Sequence, residues 1–271
     1  MVVSTSSKNQ ECSQRCLCVL NADTNGDHKF EIMRILVIGD IHGHDSWKAI
    51  VENEEYDKVV FLGDYVDSFT LQPLTIVKNL RELLKFKREN KDKVVLLWGN
   101  HDHSYFFGER CSGWSYKGYE YYDPVYEKAF DDGLFDLYYI YEDIIMTHAG
   151  VSEYWLKQVA YKDDIKDVTW DDVIPKRGMS RTTILDWNMY MGYDSYGDTI
   201  SQSPIWIRPN SLIKCPLKGY RQIVGHTNLG KPTFKDGLYI NDLMPDYYII
   251  VEDGNIEYVE NKFKNYENKV Y

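Results

Sequence analysis

The sequence predicts a single α/β domain built around parallel strands. Continuous apolar runs alternate with segments of helical spacing over residues 34–99, a pattern typical of parallel strands joined by right-handed crossovers. Each apolar run also ends in glycine and polar side chains, as expected where strand ends border a ligand site. A chain of 271 residues that is 44% hydrophobic is long enough to bury one large core.

Three apolar runs, at residues 34–39, 58–63 and 93–99, are predicted as strands that are covered on both faces. Residues 44–53 and 71–91 lie between them, and their apolar side chains repeat at helical spacing. This order of strands and helices predicts parallel pairing of the three runs.

The rest of the chain is less regular. Runs at 143–150 and 222–228 are again predicted as apolar strands that end in polar residues. Residues 237–260 alternate like an antiparallel meander with a turn at an Asp-Gly pair. The pattern is lost near 104–143, which is rich in tyrosine, and near 160–220, so cap-like insertions are expected there.

Charge and cysteine content narrow the class of protein. The net charge of −11 argues against a broad nucleic-acid or anionic-membrane surface, and no apolar run is long enough to span a bilayer. Residues 1–32 resemble no secretory leader and hold three of the five cysteines, Cys12, Cys16 and Cys18. We expect a disordered extension there, and a cytoplasmic domain with reduced cysteines over 33–271.

Polar motifs follow the predicted strands. They are GDIHG (39–43), GDYVD (63–67), GNHD (99–102), THAG (147–150) and VGHT (224–227). Because the carboxyl ends of parallel strands meet at one edge of a sheet, these motifs should converge. The glycine before each polar residue allows a tight turn and a close approach to a ligand.

The residue types in these motifs bind divalent first-row metals. Carboxylates, imidazoles and an amide without a thiolate favour manganese, iron or zinc, and argue against structural zinc. There are more ligands than one ion needs, and they fill two sites if one carboxylate bridges, at the roughly 3.5–4 Å separation used for displacement at phosphorus. The candidate ligands are Asp40, His42, Asp64, Asn100, His148 and His226.

In this order the motifs resemble those of the calcineurin-like metallophosphoesterases of the phosphoprotein-phosphatase type, with bacterial and phage serine/threonine phosphatases and diadenosine tetraphosphatases as relatives. The resemblance covers residues 34 to about 250 and implies a four-layer αββα sandwich. It also implies two divalent metal ions, with manganese expected and iron or zinc as alternatives. By position it assigns the ligands as follows: Asp40 and His42 to the first metal, Asp64 to both, and Asn100, His148 and His226 to the second.

The resemblance further implies how a phosphoester would be cleaved. A hydroxide held by the two metals would attack phosphorus directly, and His101 would protonate the leaving oxygen as general acid. Asp67 would orient His101 and support its charged form. Arg208 and Asn100 would bind the substrate phosphate, Arg208 through both arms of its guanidinium.

The chain departs from the family pattern at two positions. Ser68 stands where the second motif usually carries a phosphate-binding arginine, and Asp102 stands where the third motif usually carries glutamate. The sequence offers four candidate cations to replace the missing arginine: Arg110, Lys117, Arg177 and Arg181.

The sequence favours a hydrolase of phosphomonoesters on phosphoproteins or small molecules, with neither membrane nor long nucleic acid as a partner. The alternative is a hydrolase of dinucleoside polyphosphates, cyclic phosphates or phosphodiesters, supported only by tyrosine clusters at 119–122 and 137–142 that could stack a nucleobase. A catalytically silent metal-bound scaffold ranks last, because His101, Asp67 and all six ligands are present.

Overall fold

The structure is a computed structural model that describes residues 33–108, 110–160 and 198–263. The strands in these ranges are β1 (Arg34–Ile38), β2 (Lys58–Phe61), β3 (Val94–Leu96), β4 (Tyr139–Tyr141), β5 (Ile144–Met146), β6 (Arg221–Val224), β7 (Thr233–Lys235), β8 (Leu238–Ile240), β9 (Tyr247–Glu252) and β10 (Asn255–Glu260). The helices are α1 (Trp47–Asn53), α2 (Pro73–Glu89), α3 (Asn100–Phe107), α4 (Tyr116–Asp131), α5 (Glu153–Ala160) and α6 (Pro209–Leu212).

The first sheet has the strand order β10-β9-β1-β2-β3. Its strands β1, β2 and β3 pair in parallel, with Ile35 opposite Lys58 and Val59 opposite Val94. The predicted strand and helix order is therefore confirmed, with α1 and α2 as the crossovers. The hairpin of β9 and β10 joins the other side of β1 in antiparallel fashion.

The second sheet has the order β4-β5-β6-β8-β7, in which β5, β6 and β8 are parallel. A single meander over residues 237–260 was the wrong expectation, because β8 belongs to this sheet while β9 and β10 belong to the first. The chain crosses between the sheets after β8, where the buried Asn241 donates from Nδ2 to the Val37 carbonyl of β1 over 3.1 Å. The predicted Asp-Gly turn is present, with left-handed Asp253 and Gly254.

Alternate residues of β1 face opposite sides, as the pleat of a strand requires. Ile35 and Val37 lie in the core between the two sheets, together with residues of β5, β6 and β9. Leu36 and Ile38 lie in the core that includes the apolar face of α2. A third cluster packs α6 against the outer face of the second sheet. Two sheets with helices outside each confirm the αββα sandwich.

The first predicted insertion contains ordered elements. Helix α4 packs against α2 and α3, and Tyr122 and Tyr126 on it are buried. Most of the second insertion lies outside the described residues, as does the segment 1–32 with its three cysteines. No helix in the described part of the chain has both the length and the apolar character that crossing a bilayer requires.

Candidate metal centre and active site

The motifs that follow the strands of both sheets converge at one site. Asp40 follows β1, Asp64 follows β2, and Asn100 begins α3 after β3. His148 follows β5 and His226 follows β6 in the second sheet. These five side chains are buried, while the sixth predicted ligand, His42, is 33% exposed. The site therefore opens to solvent on the side of His42.

The potential ligand atoms form two groups that share one residue. Asp40, His42 and Asp64 offer ligand atoms within 4.8 Å of one another, and so do Asp64, His148 and His226. Asp64 is the member common to both, which is the position that a bridging carboxylate needs. The structure thus brings together the residues that the motifs single out.

Several site residues have left-handed backbone conformations. The φ angles are 42° at His42, 53° at Asp64, 61° at Asp67 and 64° at His226. For residues other than glycine this conformation costs about 1–3 kcal/mol each and is concentrated at functional sites. These left-handed residues lie in the turns that follow the strands, and their side chains lie in the site.

Hydrogen bonds to backbone carbonyls fix the protons of three histidines. Nδ1 of His148 lies 2.9 Å from the Leu62 carbonyl, and Nδ1 of His42 lies 2.9 Å from that of Val66. Nε2 of His226 lies 3.1 Å from a carbonyl of residue 206. Because a carbonyl can only accept, the neutral form of each ring keeps its proton on this nitrogen, which leaves the opposite nitrogen available to bind a metal ion. Histidine ligands of metals are held in this way.

Asn100 lies against both histidines of the second group. Oδ1 of Asn100 lies 2.9 Å from Nε2 of His148 and 2.9 Å from Nδ1 of His226. Burial, with His148 and Arg208 nearby, holds the pKa of His226 well below its usual value, so that its ring is neutral. When the rings bind through these nitrogens, one oxygen and two nitrogens offer lone pairs to a cation between them. The donor set therefore fits a metal ion.

The first group concentrates negative charge. Oδ1 of Asp40 is buried and has no hydrogen-bond partner in the described part of the chain. Burial and the neighbouring Asp242 and Asp64 raise the pKa of Asp40 well above its usual value. Burial opposes ionisation of Asp64 too, but His148 and His101 hold its pKa well below the usual range. Bound cations would relieve this repulsion.

Asp242, which none of the five motifs includes, lies just after β8 beside Asp40. Burial and the charge of Asp64 raise the pKa of Asp242. Its signal was present in the sequence, since Asn241 and Asp242 follow the apolar run of β8 as Asp40 follows β1. It adds a third carboxylate to a site that already needs positive charge.

His101 and Asp67 form the predicted acid pair. Nδ1 of His101 lies 2.7 Å from Oδ2 of Asp67, and the Tyr105 hydroxyl donates to the other oxygen of Asp67 over 2.5 Å. Nε2 of His101 lies 3.9 Å from Oδ2 of Asp64. Although burial opposes protonation, Asp64 and Asp67 raise the pKa of His101 to about 12. The ring is therefore protonated on both nitrogens and carries a positive charge beside the metal ligands.

Asp102, one of the two departures from the family pattern, joins two motifs. It is fully buried and accepts from the backbone N–H groups of Asp64 (2.8 Å), Gly99 (2.9 Å) and Tyr65 (3.0 Å), and from the hydroxyl of Tyr126. Burial and Asp64 raise its pKa to about 6, so at neutral pH it is ionised and accepts all four bonds. The shorter carboxylate therefore ties the end of β2 to the start of α3.

Ser68, the other departure, has a local role. Its Oγ accepts from the backbone N–H groups of residues 70 and 71, each over 3.2 Å, and so stabilises the turn after the second motif. Of the candidate replacement cations, Arg177 and Arg181 lie outside the described residues. Arg110 lies over the rings of Trp114 and Tyr116, 5.0 Å from each centroid.

Arg208 lies beside the second group of ligands. Its Nη1 donates to the carbonyl of His226 over 2.8 Å and to Oγ1 of Thr227 over 3.2 Å. Nε and Nη2 make no hydrogen bond to any residue that the structure describes. One edge of the guanidinium is therefore anchored, and the other can take an anion.

Gly99→Ala should damage the site without a direct change to any ligand. A Cβ at this position would lie 2.1 Å from Oδ1 and 2.4 Å from the backbone nitrogen of Asp64. Asp64 would have to move, and a displacement of about 1 Å can cost about a hundredfold in rate. We expect metal content and turnover to fall. Lys85→Ala on α2 is the control, since the Lys85 side chain is 72% exposed. Normal metal content in Gly99→Ala would contradict the packing argument.

Comparisons with known proteins agree with this geometry. The family model described as calcineurin-like phosphoesterase matches residues 33–230, which is more than half of the chain. No curated protein matches the sequence. Among solved structures, the cold-active protein-tyrosine phosphatase of a psychrophilic Shewanella species has a TM-score of 0.57 at 15% identity, over 86% of this chain and 79% of that chain. Another structure of a cold-active protein tyrosine phosphatase has a TM-score of 0.51 at 15% identity, over 85% and 80%.

At such identities the solved structures show the fold alone, whereas the family model covers most of the site. The matched residues 33–230 include all five motifs. The chain therefore belongs to the calcineurin-like phosphoesterase family and is a metal-dependent hydrolase of phosphoric ester bonds.

Proposed function

We propose that this protein hydrolyses phosphomonoesters, on proteins or small molecules, at a dinuclear metal centre that prefers manganese. The observation that carries the proposal is the shared position of Asp64 between two ligand groups, with the protonated His101 beside it. Asp40 and His42 would hold one ion, and the other would lie among Asn100, His148 and His226.

When bound, the two ions would lower the pKa of a water molecule and supply the hydroxide that attacks phosphorus. His101, fixed by Asp67, would donate its Nε2 proton to the leaving oxygen. Asp67 keeps its own orientation through the Tyr105 hydroxyl. Arg208 and Asn100 would hold the phosphate oxygens, Arg208 through the edge that is not anchored to the His226 loop.

The nucleotide alternative gains no support from the tyrosine clusters on which it rests. Tyr122 is buried in α4, and Tyr119 and Tyr121 pack against the same core. Tyr138 and Tyr139 are buried at and before β4. The buried rings of Tyr122, Tyr138 and Tyr139 cannot stack on a nucleobase, so phosphomonoesters remain the favoured substrates.

A substrate screen tests the proposal directly. The purified full chain, loaded with manganese, would be assayed on an aryl phosphomonoester, an aryl phosphodiester, a phosphopeptide and a dinucleoside tetraphosphate. We expect the highest kcat/KM on a phosphomonoester. A faster reaction with the diester or the dinucleotide would replace this proposal by the alternative.

Arg208→Lys and Arg208→Ala should both weaken catalysis, the alanine variant more. A lysine offers a point charge, whereas guanidinium can anchor the loop and bind phosphate at once. The loss of a hydrogen bond to a charged group, about 1.5–3 kcal/mol, corresponds to roughly 10- to 150-fold in kcat/KM. Manganese content should stay unchanged, because the ring of His226 is held through its Nε2 and not by Arg208.

The measurement is kcat/KM for an aryl phosphate together with bound manganese. Arg88→Ala is the matched control, because Arg88 pairs with Asp132 at the surface. A normal rate in Arg208→Ala would remove Arg208 from phosphate binding. A loss of manganese would give it a role in positioning His226 instead.

A further inference from the structure

A cysteine lies against the acid pair and has no role in the proposed reaction. Sγ of Cys111 is 3.4 Å from Nδ1 of His101 and 3.9 Å from Oδ2 of Asp67. Cys111, His101 and Asp67 thus form a third group of potential ligand atoms within 4.8 Å of one another. The group shares no residue with the two groups around Asp64.

The distances within this group are close to those around zinc. Typical bonds of about 2.3 Å to sulfur and 2.0–2.1 Å to nitrogen or oxygen, in tetrahedral geometry, separate sulfur from the other two ligands by about 3.6 Å. They separate nitrogen from oxygen by about 3.3 Å. The sulfur of Cys111 already lies at such distances. Only the 2.7 Å contact between His101 and Asp67 would have to widen, as the zinc replaces the proton between them.

The segment that carries Cys111 is held in place. The backbone N–H of Ser115 donates to the Tyr105 hydroxyl over 3.0 Å, and the same hydroxyl donates to Asp67. The Trp114 ring stacks on Tyr105 with centroids 6.0 Å apart. Cys111 is partly exposed, so that an ion and a fourth ligand from solvent can reach it.

We propose that Cys111, His101 and Asp67 form a separate zinc site and that zinc bound there inhibits the enzyme. Because a thiolate is a soft ligand, this group selects zinc over manganese. The groups around Asp64 offer a metal ion only oxygen and nitrogen ligands. With zinc in place of the Nδ1 proton, the ring is no longer a cationic imidazolium, so its remaining Nε2 proton is far less acidic toward the leaving oxygen. The inhibitory effect rests on the proposed role of His101, whereas binding at the three side chains does not.

Zinc titration of the manganese-loaded full chain tests the site. The background carries Cys12→Ser, Cys16→Ser and Cys18→Ser, so that the cysteines of the first 32 residues do not compete. We expect zinc to bind in addition to manganese and to stop phosphatase turnover. Cys111→Ser should need at least about tenfold more zinc for half-inhibition, relative to its own uninhibited rate. Cys215→Ser, at the other cysteine that the structure describes, should behave like its parent.

Two further measurements do not depend on activity. Cobalt added in place of zinc should give a thiolate charge-transfer band that Cys111→Ser loses and Cys215→Ser keeps. In the unsubstituted chain, zinc but not manganese should protect Cys111 from alkylation, as read by peptide mass spectrometry. Equal zinc inhibition of Cys111→Ser and its parent, displacement of manganese by zinc, or unprotected Cys111 would each overturn the proposal. A chain without phosphatase activity would refute the proposed function, and the band and the alkylation would still decide the site.

Discussion

Asp64→Asn should abolish metal-dependent hydrolysis. Asp64 is the one described residue common to the two ligand groups, so the substitution removes a charge and a shared ligand together. The carboxylate is ionised in the folded protein because His148 and His101 hold its pKa far below the usual range. The loss of several kcal/mol of charge stabilisation corresponds to about a thousandfold or more in turnover.

Bound manganese and the rate on an aryl phosphate should be measured in the same preparation. Asp45→Asn is a matched control, because Asp45 is an exposed carboxylate that pairs only with Lys48 among the described residues. Circular dichroism would verify that both variants are folded. An Asp64→Asn variant that retained two metal ions and normal turnover would rule out a shared carboxylate.

His101→Ala should leave the metals bound and lower turnover by about 10²–10⁴-fold, the usual contribution of a general acid. His101 donates its backbone N–H to Asp64 over 3.0 Å, and alanine retains that bond. The loss should shrink for a substrate with a nitrophenolate leaving group, because a weakly basic oxygen needs less protonation. The comparison of leaving groups therefore separates proton donation from phosphate positioning.

His44→Ala serves as the control, since His44 lies two residues beyond His42 and belongs to none of the three ligand groups. Rates on an alkyl phosphate and on nitrophenyl phosphate would be compared for all variants. An equal loss on both substrates would show that His101 orients the phosphate and does not protonate the leaving group.

The sequence alone predicts the parallel strands and the convergence of their polar ends. The apolar runs of β1, β2 and β3 are unbroken. Because these strands are parallel, the residues that follow them all lie at the same edge of the sheet. Asp242 follows the same rule, but its strand has only three residues, and the alternation of residues 237–260 favoured an antiparallel meander. The register of a short strand depends on the neighbour it meets, which no local pattern reveals.

The sequence does not predict the contacts that residues of the motifs make with α4 and with the turn before it. Asp102 meets Tyr126 on α4 and Asp67 meets Cys111 across the turn before α4. These contacts depend on how α4 packs on α3, and the tyrosine-rich segment gives no periodic signal for that packing. The sequence shows that Asp102 departs from the family pattern, whereas its function appears only in the fold.

The four hydrogen bonds to Asp102 have a consequence for the life of the protein in the cell. They join the loop after β2 to the start of α3 through groups of the chain itself. In small zinc domains, by contrast, the free energy of metal binding is also the free energy of folding. Since hydrogen bonds within this chain join the loops, we expect a change in metal supply to switch existing molecules on or off without new synthesis or refolding.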